Sequence, residues 1–141
     1  MYVFEVRGRS GTRPFSAPTF VRLPVAGFNA AAGLVATQGS VVANIAAAGL
    51  AEGNNRITLE ITAPAAGAAF NTTFAAANFT IAQGTATIVP TAGTVTGNTI
   101  VLTIPALSAA QAGAATVVTA LPAAFAGTEF ATAMTATAST N

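Results

Sequence analysis

Apolar and polar residues alternate with period two through most of this chain. Arg56, Thr58, Glu60 and Thr62 interleave with Ile57, Leu59, Ile61 and Ala63, the pattern of a strand with one buried face and one wet face. Pro64 ends it. The same rhythm predicts strands over 70–74, 78–82, 85–89, 98–104, 115–120 and 130–137. Gly84, Pro90, Gly93, Gly97-Asn98, Pro105, Gly113, Pro122 and Gly127 mark turns between them. Short strands with turn signals about every 8–12 residues predict an all-β fold, a β-sandwich of immunoglobulin-like or jelly-roll-like type.

The N-terminus follows a different pattern. Tyr2, Phe4 and Val6 alternate with Val3, Glu5 and Arg7, which predicts a short strand with one aromatic face. Residues 8–13 read as a flexible basic link. Pro14, Pro18 and Pro24 then space out an extended run over 15–25, because each proline pushes its predecessor toward β or polyproline II geometry. Such a segment does not make a central strand. The expected organisation is an extended N-terminal arm, 1–25, followed by a β-sandwich domain, 26–141. Within 26–53 the pattern supports two readings equally. Ser40 could cap a helix over 41–50, or β-branched Val41, Val42 and Ile45 could form a strand over 41–46 followed by a loop.

Composition changes the picture from an ordinary domain to a covered one. The chain is 52% hydrophobic but only 6% charged, against roughly 25% charged in average proteins. It has no Lys, Asp, His, Cys or Trp, and five Arg and four Glu give a net charge of +1. Ala fills about a quarter of the positions and Thr about one in six, well above average usage. Disorder requires low hydrophobicity or high net charge, and neither is present. A membrane-spanning helix needs about 20 consecutive apolar residues, and the longest quiet stretch, 41–51, is about half that and interrupted by Asn44. A free monomer usually keeps itself soluble with a mixed charged surface. A surface of Thr, Ser, Asn, Gln and Ala, without strongly hydrated Lys, is suited to being covered by a partner or by copies of itself.

The same inventory excludes most chemistry. Without His, Cys, Asp or Lys there are few bases, no thiol nucleophile, no Schiff-base amine and few metal ligands. A carboxylate pair could come only from Glu5, Glu52, Glu60 and Glu129; Glu60 sits mid-strand and Glu52 and Glu129 lie in turn-like settings, where solvated structural roles are normal. No enzyme activity, cofactor or metal site is expected. Arg7-Gly-Arg-Ser-Gly-Thr-Arg lacks the lysine of a phosphate-binding loop and does not lead into a helix. Arg7, Arg9 and Arg13, with Phe15 nearby, could contact phosphates, but a nucleic-acid binder spreads many more cations over a face. Pairing of these arginines with acidic groups on a protein neighbour is the expectation. Asn71-Thr-Thr and Asn78-Phe-Thr match the glycosylation sequon, which arises by chance in so threonine-rich a chain. Read as a native start, Met1 to Arg7 shows no export signal, so the expectation is retention in the cytoplasm, release by lysis or a dedicated secretion route.

The segments 78–89 (NFTIAQGTATIV) and 97–105 (GNTIVLTIP) resemble bacterial immunoglobulin-like domains, which occur in surface adhesins and in phage virion proteins. The disulfide pair and core Trp of antibody domains are missing. In general character the chain also resembles small β-rich decoration (cement) proteins of tailed-phage capsids, often trimers with extended N-terminal arms. That resemblance implies a structural role on the virion surface, with the arm contacting neighbouring capsid subunits. The candidate contact residues are Tyr2, Phe4, Val6, Arg7, Arg9, Arg13, Phe15, Phe20 and Arg22. Expected partners are copies of the chain, with a trimer as the arrangement the resemblance implies, and a major capsid or lattice protein; nucleic acid and membrane are not expected. The alternative is a subunit of an extracellular filament or surface layer joined by donor-strand exchange. A sugar-binding module fits less well, because no Trp is present and Tyr2 is the only Tyr.

Overall fold

A computed structural model describes residues 2–6, 19–23, 37–63 and 67–141. The chain divides into two compact units, Met1–Ala36 and Thr37–Asn141. In the first unit β1 (Tyr2–Val6) and β2 (Thr19–Leu23) pair antiparallel along their whole length, from Tyr2 opposite Leu23 to Val6 opposite Thr19. β2 lies between Pro18 and Pro24, within the run predicted to be extended.

The second unit is an all-β sandwich, as the period-two pattern predicts. Its strands are β3 (Val41–Ile45), β4 (Arg56–Ala63), β5 (Ala68–Phe70), β6 (Phe79–Gln83), β7 (Ala86–Ile88), β8 (Ala92–Thr96), β9 (Thr99–Thr103), β10 (Thr116–Ala120), β11 (Phe125–Gly127) and β12 (Ala133–Ser139). Two four-stranded antiparallel sheets, ordered β3-β10-β6-β7 and β12-β4-β9-β8, enclose the core, and β5 pairs with β11 as a small accessory ribbon. The order differs from that of an immunoglobulin constant domain, where the first strand lies beside the second and the last beside the sixth. Here β3 lies beside β10 and β12 beside β4, so the first and last strands have exchanged sheets.

The alternation read from sequence is the alternation of burial. β4 points Ile57, Leu59 and Ile61 inward, and β9 points Ile100 and Leu102 inward. From the opposite sheet come Val41, Ala43 and Ile45 of β3, Phe79 and Ile81 of β6, and Val118 and Ala120 of β10. Phe70 of β5 is buried and stacks on Phe125 of β11 at 5.5 Å between ring centroids. The edge strand β12 contributes Met134 and then only Ala136 and Ala138. Both two-residue hairpins have glycine at the first turn position, Gly84 (φ 55°) between β6 and β7 and Gly97 (φ 60°) between β8 and β9. A positive φ there gives the turn the twist that matches its strands.

The two sides of the sandwich close differently. On one side β3 and β12 run close alongside each other. There the Gln38 side chain acts as a surrogate peptide, its Nε2 donating to the Ala131 carbonyl at 2.9 Å and its Oε1 accepting from the Ala131 N–H at 2.9 Å. On the other side Phe74 stacks against Phe79 at 6.2 Å and lies over Gly93 of β8.

Several expectations need adjusting. Of the two readings of 41–50, the strand is the one observed: β3 followed by a short 3₁₀ turn, Ala47–Gly49. Its pairing with β10 satisfies a backbone that the β-branched side chains already bias toward extension. The strand predicted over 70–74 ends at Phe70, because the Asn71 Oδ1 accepts the Thr73 N–H at 3.0 Å and turns the chain. The strand predicted over 130–137 starts later, at Ala133. Strands β8 and β11 were not predicted. Gly93, read as a turn, sits inside β8, where the Phe74 ring occupies the space a side chain would need.

Candidate protein interface

The described part of the chain brings together no catalytic constellation. Glu52, Arg56, Glu60 and Glu129 are all exposed, and no group of three or more metal-binding side chains occurs among the described residues. The features with binding potential are the outer faces of the sheets and one sheet edge.

The outer face of β3-β10-β6-β7 is uncharged. One row across it runs Val42, Thr119, Thr80 and the next Asn44, Val117, Ala82, Thr87. Val89 follows directly after β7. Val42 (51% exposed), Val89 (61%) and Val117 (37%) are three of the four large hydrophobic residues left open to solvent in the sandwich, the other being Phe130. Single exposed apolar residues are ordinary, whereas two on one uncharged sheet face, with a third directly after its edge strand, mark a surface that is cheap to desolvate.

The outer face of β12-β4-β9-β8 is a threonine lattice. Its cross-strand rows are Ser139–Arg56–Thr103–Ala92, Thr137–Thr58–Val101–Thr94 and Thr135–Glu60–Thr99–Thr96. Arg56 and Glu60 are its only charged members. Threonine pairs opposite one another in adjacent strands stabilise a sheet by roughly 0.2–1 kcal/mol each.

The open edge is β8, and the hydrogen-bond parity of its sheet can be worked out. The Ile61 N–H donates to the Asn98 carbonyl and the Ile104 N–H to the Asn55 carbonyl. Ile100 and Leu102 therefore bond toward β4, while Thr99, Val101 and Thr103 bond toward β8. Within β8 this engages Ala92, Thr94 and Thr96 with β9. The N–H and C=O groups of Gly93 and Val95 then face outward, with no partner among the described residues. β8 carries no charge and no proline, two of the devices that usually block an edge. The other exposed edge, β7, has three residues and is followed by Val89-Pro90.

Two buried polar side chains lie side by side within the core. Gln83 and Thr116 face each other across β6 and β10, and both are buried. The Gln83 Nε2 donates to the Gln111 carbonyl at 2.6 Å, while the Gln83 Oε1 and Thr116 Oγ1 have no partner among the described residues. The two sequon asparagines have structural roles: Asn71 makes the turn after β5, and the Asn78 Nδ2 donates to the Ala123 carbonyl at 3.1 Å.

Of the arm residues singled out from sequence, Tyr2, Phe4 and Val6 lie in β1 and Phe20 and Arg22 in β2. Phe20 pairs with Glu5 and Arg22 with Val3, so these two positions fall on the opposite face of the ribbon from Tyr2, Phe4 and Val6. One long edge of β1 is already occupied by β2. Arg7, Arg9, Arg13 and Phe15 lie outside the described residues. Sequence reasoning did not single out Val42, Val89, Val117 or the edge of β8. The alternation at Thr94-Val95-Thr96 was there to see, but no local signal says that a strand lies at an edge. Comparison with known proteins finds no matching family model, curated protein or solved structure.

Proposed function

We propose that this protein is a structural assembly subunit, a decoration (cement) protein on the capsid of a tailed phage, which grips neighbouring capsid subunits through its N-terminal arm. The observation that carries this reading is the uncharged outer face of β3-β10-β6-β7, with Val42, Val89 and Val117 exposed on a body that has four charged side chains in all. Such a surface is inexpensive to cover and contributes little to keeping a free monomer in solution. The β1–β2 ribbon supports an attachment role, since its outer edges can add to a neighbour's sheet, with main-chain bonds giving affinity and side chains giving register. Cement proteins stabilise a shell by binding its assembled state. The role is non-catalytic, in keeping with a chain lacking His, Cys, Asp and Lys.

The test is co-sedimentation with undecorated capsids. Saturable binding, weakened by charge reversal at Arg22 and Arg13, is expected; no co-sedimentation counts against the assignment. The second reading, a filament or surface-layer subunit joined by strand exchange, is favoured by the unguarded edge of β8. Long fibres formed by the protein alone in negative stain would select it, because a contact that does not close on itself propagates.

A further inference from the structure

We infer that β8 is a self-pairing edge through which two copies of this chain join across a twofold axis into one continuous eight-stranded sheet. The inference rests on β8 alone and stands whether or not the chain decorates a capsid. Three observations lead to it. The outward N–H and C=O groups belong to Gly93 and Val95, which are two residues apart. An antiparallel twofold centred on Thr94 places Gly93 of one copy opposite Val95 of the other, so each pair exchanges both of its N–H···O=C bonds. The same register puts Thr94 opposite Thr94 and Thr96 opposite Ala92 on the outer face, extending the threonine lattice and bringing no like charges together.

The remaining edges of the sandwich are less available. β3 and β12 lie against each other and are tied by Gln38 to Ala131, and β7 is only three residues long and is followed by Val89-Pro90. Gly93 also favours pairing, because the Phe74 ring fills its inner side and no Cβ flanks the outward amide. Such a contact closes at two copies.

The chain has no cysteine, so single thiols report on the register without interference. In the proposed dimer the two Thr94 positions form a non-hydrogen-bonded pair with Cα atoms about 4.5 Å apart, inside the disulfide range. The two Thr96 positions are about 13 Å apart at ~3.3 Å per residue. Thr94→Cys is expected to form a disulfide-linked dimer under mild oxidation at least about tenfold faster than Thr96→Cys. Val95→Pro removes an N–H that β9 does not use, and is expected to lower the sedimenting mass from a dimer to the single chain of 13.8 kDa while the strand signal in circular dichroism persists. Equal crosslinking at the two positions overturns the inference, as does a folded Val95→Pro protein that keeps its dimer mass. In the double variant Phe4→Cys/Thr94→Cys, preferential linkage of position 94 to position 4 also overturns it, by showing that the edge belongs to another copy's arm.

Discussion

Gln38 is the position where a surface-looking polar residue has the largest structural consequence. Its side chain spans 93 positions in sequence to engage both backbone groups of Ala131, each at 2.9 Å, just before β12 begins. Ala131 is 4% exposed, so water cannot readily replace the lost partner. Each net hydrogen bond is worth about 1 kcal/mol, and a buried group left without a partner costs about 1–3 kcal/mol. Some relaxation at the rim offsets part of this, and Gln38→Ala is expected to destabilise the sandwich by about 2–4 kcal/mol. With a urea slope of about 1–3 kcal/mol/M for a chain of this size, the unfolding midpoint falls by about 1–2 M. Gln38→Glu keeps an acceptor for the Ala131 N–H but turns a carboxylate oxygen toward the Ala131 carbonyl, so it is expected to be at least as damaging. Urea titration followed by circular dichroism measures both, and amide exchange at Ala131 should lose its protection in step. A Gln38→Ala midpoint within about 0.3 M of the parent, at unchanged slope, would show that the two sheets close without this side chain.

Three other outcomes follow from the same core. Gly93→Ala puts a Cβ into the Phe74 ring and 3.1 Å from the Ile100 Cδ1; a loss of about 1–3 kcal/mol is expected, and Phe74→Leu should recover part of it in a double-mutant cycle. Thr116→Val removes a buried hydroxyl with no partner among the described residues, so thermal unfolding should show stability unchanged or raised by up to about 1 kcal/mol. A drop of that size instead would mean the hydroxyl is bonded in solution. Charge reversal at Glu60 on the threonine lattice should leave stability within about 0.5 kcal/mol of the parent, since the side chain is exposed and has no charged partner opposite it.

How far the fold could be read from sequence depended on where each strand sits. β4, β6, β7, β9 and β10 fall within a residue or two of their predicted bounds, because each buries one face and each is ended by a Gly, Pro or Asn turn. β8 and β11 escaped because Gly93 and Gly127 look like punctuation, although both lie within strands where another group crowds the backbone. The turn at Asn71 was missed because its side chain competes for the backbone of Thr73, while Phe70 and Phe74 still read as one alternating run. The strands at 2–6 and 19–23 were legible as extended segments. That β2 pairs with β1 was not, because antiparallel register depends on which strands meet.

The sequence by itself determined the class of the fold and the character of its surface. Period-two alternation can be satisfied only by half-buried strands, and a chain with 6% charged residues must present Thr, Ala and Val to its surroundings. The tertiary structure decided the placement of those strands. It put β3 beside β10 and β12 beside β4, left β8 as the unguarded edge, and brought Val42 and Val117 onto one sheet face, with Val89 just beyond its β7 edge. Alternation records only that a strand has an inside and an outside. Its neighbours, and whether its second edge is paired, follow from how distant segments pack around a shared core, and no local run of residues encodes that.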